Sequence, residues 1–327
     1  MASEKLILVA KNLLLAQSLE FITYLNSLEP ADSYHFDFTR SKLIDPFSLI
    51  YLSREIQAFR STKGGSDFIA KNFTHLTYHG HMGFFKAFGL DFGKNPGAAS
   101  GSLTYIPITI YNCEDIRREA SAKGVNPGEI LTTQSEQLAL ILTQGKQGDY
   151  VQALSFSMRE IFRNAVEHSE SKQIGFCAQY LPSQSLVKFA ILDTGIGIAK
   201  SLSRNKDLQI KNDLDGLYTS LKPGISGKVP SIEYRHDDHW QNSGFGLFMT
   251  SELAKRKGSF SIASGDHSLT LVRDKKIELP GSIQGTIVGI DLNVQTLKDF
   301  EEIKRTIYSQ IPKDSPGPSG ASGEIFD

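Results

Sequence analysis

The chain has 327 residues, a formal net charge of −1, 40% hydrophobic residues and 22% charged residues. That is the balance of a globular protein of about two domains, and its near-zero charge excludes bulk electrostatic attraction to nucleic acid or to an anionic membrane. The two cysteines, Cys113 and Cys177, lie far apart without a CxxC partner, so neither a disulfide framework nor a cysteine zinc site is legible, and a reducing compartment fits.

No stretch approaches the ~18 uninterrupted apolar residues of a membrane span. Residues 6–15 are apolar but broken by Lys11 and Asn12, and no small-residue cleavage site follows. They read as a core element rather than a signal peptide, and the expected location is the cytoplasm.

Strand and helix signals alternate over the first 111 residues. Residues 34–39 alternate as a strand. Pro46 opens a helix over residues 47–59, because a proline in the first turn removes an N–H that has no intrahelical partner. Residues 75–78 read as a short strand, 82–90 as a short helix and 103–111 as a β-rich run. Residues 112–149 read as helical linker, with breaks at Gly124, Pro127 and Gly145. A long helix is expected over 150–169, strands over 173–180 and 186–193, and a polar loop over 199–243. A helix then spans 244–257, strands follow at 259–263, 268–273 and 286–292, and a terminal helix spans 297–310. The remaining Pro/Gly/Ser-rich residues, 311–327, bury too little apolar area to offset chain entropy and are expected to be disordered.

Four pieces carry chemistry. In the helix near residue 160, Leu154, Met158, Ile161 and Ala165 form a buried stripe, while Glu160, Asn164 and His168 form a second stripe one turn apart. A carboxylate can accept a proton from water, and an amide oxygen suits the hard cation Mg²⁺. The apolar run 189–192 ends in Asp193, followed by Gly195 and Gly197, whose missing side chains let backbone approach a ligand. Gly244 and Gly246, followed by Leu247, open a helix, and N–H groups at a helix start attract phosphate. Gly285 and Thr286 open the last strand.

In this order the four pieces resemble the GHKL (Bergerat) superfamily of histidine kinases, anti-sigma serine kinases and MutL-type and gyrase-type ATPases. Glu160, Asn164 and His168 match its N box. Asp193, Gly195 and Gly197 match the first glycine box, and Gly244, Gly246 and Leu247 the second. Gly285 and Thr286 match the final GT motif.

The resemblance covers about residues 147–295. It implies an α/β fold: a two-layer α/β sandwich with a mixed sheet over 150–310, preceded by a smaller α/β domain over 1–111. It also implies that ATP and Mg²⁺ are the ligands. Asp193 would receive the adenine amino group, supported by Thr286. Asn164 would hold Mg²⁺, and Glu160 would be the general base. Residues 199–243 would form a lid carrying Lys222, Lys228 and Arg235.

Residues 36–59 resemble the strand–loop–helix of STAS domains. Pro46 and Phe47 stand at the usual phosphorylatable serine positions, and only Ser48 lies nearby.

The expected function is an ATPase or an anti-sigma-like serine kinase in a bacterial regulatory or defence-type system. The alternative is a nucleotide-gated interaction module with little turnover. A protein partner is expected through the N-terminal domain, and a homodimer is compatible; no membrane or nucleic-acid partner is indicated. His75, His79 and His81 sit in a strand–turn region rather than on a long phosphoacceptor helix, and His79 with His81 lacks a third metal ligand.

Overall fold

The computed structural model describes residues 3–146, 148–167, 169–227, 244–297 and 299–311. It is a mixed α/β structure with several sheets. Among the described residues no helix is long and apolar enough to cross a membrane. The expected disordered tail lies outside the described residues except for Ile311.

The first sheet is parallel and has three strands, in the order β1 (Glu4–Leu8), β3 (Ser33–Asp37), β5 (Asp67–Lys71). Parallel neighbours need crossovers. These are α1 (Leu15–Ser27) and α2 (Pro46–Thr62), with the two-residue strands β2 (Asn12–Leu13) and β4 (Leu43–Ile44) beside them. α2 starts where the sequence predicts, because the Asp45 side chain accepts from the Ser48 N–H and Pro46 occupies the first turn.

Residues 75–78 are not a strand. His75 is in a turn and α3 (Thr77–His81) begins within that stretch, held by Gly80 N–H to Leu76 O and Met82 N–H to Tyr78 O. Four alternating residues are too few to separate the two periods. α4 (Phe84–Ala87) follows.

The second sheet has five strands in the order β6 (Tyr105–Asn112), β7 (Gln173–Leu181), β8 (Leu186–Asp193), β10 (Lys275–Asn293), β9 (Gly258–Val272). Every neighbouring pair in it is antiparallel, not mixed as expected. β7–β8 and β9–β10 are joined by short turns, with Ser185 and Arg273 at positive φ, and a tight turn can only return the chain antiparallel. β9 and β10 are also longer than the three strands predicted. Glycine and proline near 265 and 280 mark register shifts inside one long hairpin, not strand ends.

One face of this sheet is covered by α6 (Pro127–Leu142), α7 (Asp149–Glu167), α10 (Gly246–Lys257) and α11 (Phe300–Ser309), with Leu154, Met158, Ile161 and Ala165 buried as the helical stripe predicts. α5 (Cys113–Lys123) joins the same core, so residues 112–149 form two packed helices.

The other face is covered by α2. Small residues make this approach close: a Cβ on Gly289 would stand 2.6 Å from Phe47 Cδ2, and one on Gly175 would stand 2.8 Å from Ile50 Cδ1. The buried Cys177 thiol donates to Pro46 O at 3.0 Å. The Lys188 ammonium bridges Asp45 at 3.6 Å and Asp291 at 2.6 Å, tying the start of α2 to the middle of the sheet. Ser48 is fully buried, so the loop before α2 offers no accessible hydroxyl at that position.

The stretch expected as one polar loop, 199–243, contains α9 (Asp213–Ser220), and α8 (Ile198–Leu202) overlaps its start. α9 forms because Asn212 caps it by accepting from the Asp215 N–H. Residues 228–243, with Lys228 and Arg235, lie outside the described residues.

Candidate functional site

Asp193 ends β8 and is 6% exposed. Gly195 N–H donates to its Oδ1 at 2.8 Å. Burial outweighs that bond and the neighbouring Ser169 and Thr286 donors, and pushes the carboxyl up to about 6. The single Ser169 hydroxyl proton is shared between this carboxylate and Ala165 O. A carboxylate offers about four acceptor positions, so these donors leave room for at least one more N–H.

Thr286 lies directly opposite Asp193 in the β8–β10 ladder. Gly285 has φ +103°, and a Cβ there would come within 2.1 Å of Asp193 O, so only glycine lets the pairing of β10 with β8 begin at this point. The turn after β8 rests on the end of α7. Ile196 N–H donates to Ser169 O at 2.8 Å, and a Cβ on Gly195 would lie 1.9 Å from that same oxygen.

Ser264, on β9, is a residue that motif reading misses. Its hydroxyl is 1% exposed, accepts from Ile198 N–H at 2.9 Å and donates to Gly285 O at 2.9 Å. The Thr286 hydroxyl stands 3.4 Å from it. One serine therefore ties the loop after Asp193, where Gly197 takes φ +78°, to the strand opposite. The only sequence signal is a small polar residue before Gly265, in a strand that carries several other serines.

On α7, Glu160 is held by Arg159, whose Nη2 and Nε reach Oε1 at 2.8 and 3.0 Å, while Arg163 Nη1 stands 3.9 Å away. Its other oxygen faces α10: a Cβ on Gly246 would sit 2.0 Å from Glu160 Oε2. Asn164, one turn further on, is half-buried, and His168 lies outside the described residues. Gly244 takes φ +70° against the backbone of Gly224 and Ile225, so the chain after α9 packs on the start of α10. Leu247 is half-buried against the helical core, and Lys222 is exposed.

The sequence-selected residues thus form two groups along α7. Asp193, Gly195, Gly197, Gly285 and Thr286 meet at its C-terminal end, and Glu160 meets Gly246 further back. No family model matches the chain, and neither does any curated protein or solved structure.

Two expectations fall elsewhere. His79 is buried on the short helix α3, not in a strand–turn region: its Nε2 accepts from Ile44 N–H at 3.2 Å, and burial lowers it to about 4. His81 bonds Tyr105 Oη at 2.8 Å. Among the described residues no three His, Cys, Asp or Glu are grouped to hold a metal ion. Mg²⁺ does not require such a cage, since it commonly takes most of its oxygens from phosphates and water.

Proposed function

We propose that the chain binds ATP–Mg²⁺ in a GHKL-type pocket formed by α7, the end of β8, the start of α10 and the β9–β10 hairpin. The observation that carries the reading is Asp193, a buried carboxylate with acceptor capacity to spare, flanked by glycines and facing Thr286. The adenine amino group supplies the kind of N–H donor that this carboxylate can take. Asn164 would hold Mg²⁺ by its amide oxygen, and Gly244, Gly246 and Leu247 would bring α10 N–H groups to the phosphates. Bound ATP supplies the phosphoryl group for hydrolysis or for transfer to a protein hydroxyl. Glu160 would take the proton of the attacking water or hydroxyl.

A second reading, a nucleotide-gated interaction module with little turnover, is favoured by the arginines around Glu160. Arg159 already donates to Glu160 Oε1 at 2.8 Å and Arg163 stands 3.9 Å from the same atom, so one of the two oxygens that a base would use is engaged within the protein. In that reading the N-terminal domain meets the protein partner.

Calorimetry with ATP–Mg²⁺ tests the pocket. The wild type binds, and Asp193→Ala loses about 1–3 kcal/mol, roughly fivefold to over a hundredfold in affinity. Unchanged affinity rejects the assignment of Asp193. Incubation with γ-labelled ATP, with and without lysate, separates hydrolysis, transfer and binding alone.

A further inference from the structure

Among the described residues, only one face of the three-stranded parallel sheet is covered. Ile7, Tyr34 and Phe36 are buried beneath α1 and α2, whereas the alternate residues point the other way. On that outer face Leu6 is 62% exposed, Leu8 56% and Ile69 39%. Parallel sheets are almost always covered on both faces, because their crossovers bring helices to each side. Here both crossovers lie on one side, so among the described residues the outer face, with three exposed apolar side chains set among polar ones, is left open to a partner.

The register gives this face a polarity. Glu4, Ser33 and Asp67 form one cross-sheet row, Leu6, His35 and Ile69 the middle row, and Leu8, Asp37 and Lys71 the far row. A two-fold axis lying along the middle row reverses the strands and exchanges the outer rows. Leu6 then meets Leu6 of the second copy, Ile69 meets Ile69, and Asp67 of each copy meets Lys71 of the other. Asp37 makes no demand on the partner, since Thr39 and Asn72 already satisfy it within its own chain and hold its carboxyl at about 2. Glu4 lies 3.9 Å from His35 of the same chain.

We infer that this face is a homodimer interface, two copies packing sheet to sheet about that axis, with Leu6 and Ile69 at its centre and reciprocal Asp67–Lys71 pairs at its rim. The Asp67–Lys71 match is of the face to itself, which is what an isologous contact requires. It does not depend on what the second sheet binds.

Sedimentation velocity on the full chain over a range of concentrations tests the arrangement, with circular dichroism as a check on folding. The wild type shows a reversible monomer–dimer equilibrium. Leu6→Glu yields monomer. Asp67→Lys and Lys71→Asp each weaken the dimer about fivefold or more, since each puts like charges at both rim contacts. The double variant Asp67→Lys/Lys71→Asp restores it. A wild type that stays monomeric overturns the proposal. So does a dimer indifferent to Leu6→Glu, or a double variant no better than either single one.

Discussion

The Ser264 hydroxyl accepts from the backbone N–H of Ile198 at 2.9 Å, and by donating to Gly285 O it joins the loop after Asp193 to the strand bearing Thr286. Ser264→Ala leaves a half-buried N–H unpaired. The expected loss is about 1–3 kcal/mol of unfolding free energy, measured by urea denaturation. ATP–Mg²⁺ affinity should fall with it, whereas alanine at the exposed Ser203 should change neither. Equal stability of the wild type and Ser264→Ala would show that this hydroxyl does not hold the loop.

Asp193 makes a pH-dependent contribution whose sign follows from its burial. Its folded value of about 6 lies above the ordinary 3.8, so between those values the folded chain holds a proton that the unfolded chain has released. Stability through Asp193 therefore falls as pH rises across that window, by up to ~3 kcal/mol. Denaturation of the wild type and Asp193→Asn from about pH 4 to 7 measures it, and the variant should lack the slope. Adenosine affinity should rise over the same interval, because the ionised carboxylate is the better acceptor.

The two glycines beside the α7 carboxylate and the α7 end should respond differently to alanine. At Gly195 the new Cβ meets the main-chain oxygen of Ser169 at 1.9 Å, which can move only with the backbone. A loss of ~1–3 kcal/mol in stability is expected. At Gly246 it meets the end of the Glu160 side chain at 2.0 Å, which can rotate away. Gly246→Ala should keep its thermal midpoint but disturb the Arg159–Glu160 pair. A matched loss in both variants would refute this distinction.

Glu160→Gln keeps the shape of the side chain and loses its basicity. If the protein turns ATP over with Glu160 as base, phosphate release drops about 10²–10⁴-fold while ATP binding persists. Equal release from both proteins favours the module with little turnover.

Glu55 on α2 supplies a further pH test away from the pocket. Burial pushes it up to about 7 from 4.5, and its Oε1 has no hydrogen-bond partner. The folded chain again keeps the proton longer than the unfolded one, so stability through Glu55 falls from about pH 4.5 to 7. Glu55→Met should be more stable than the wild type at pH 8, with the advantage shrinking at pH 5. An advantage that does not change with pH would mean the carboxyl does not titrate in this window.

What the sequence reveals depends on how local the cause is. α7, β8 and α10 are legible because a helical stripe, an apolar run and paired glycines are written into neighbouring residues. α9 carries a usable sign, Asn212 three residues before Asp215, which the polar composition around it obscures. β5 and α3 are too short to show a period, and contacts distant in sequence decide them; His79, for example, is fixed by the backbone of Ile44. At the site, the glycines and Asp193 stand out as residue types. Ser264 does not, because a hydroxyl that holds two loops and one that faces water are the same letter. The arginines around Glu160 are visible in the sequence, but their hold on it depends on side-chain direction.

The salt bridges of Lys188 determine how the molecule can be divided. Residues 1–111 include β6, the strand that closes one edge of the five-stranded sheet, and α2, which fills the hollow left by Gly175, Cys177 and Gly289. A fragment starting at residue 150 would carry an open β7 edge and a bare apolar floor, and Lys188 would keep Asp291 but lose Asp45. Such a fragment should aggregate when expressed alone and become soluble when the missing half is co-expressed, so the two halves behave as one folding unit rather than as separable modules.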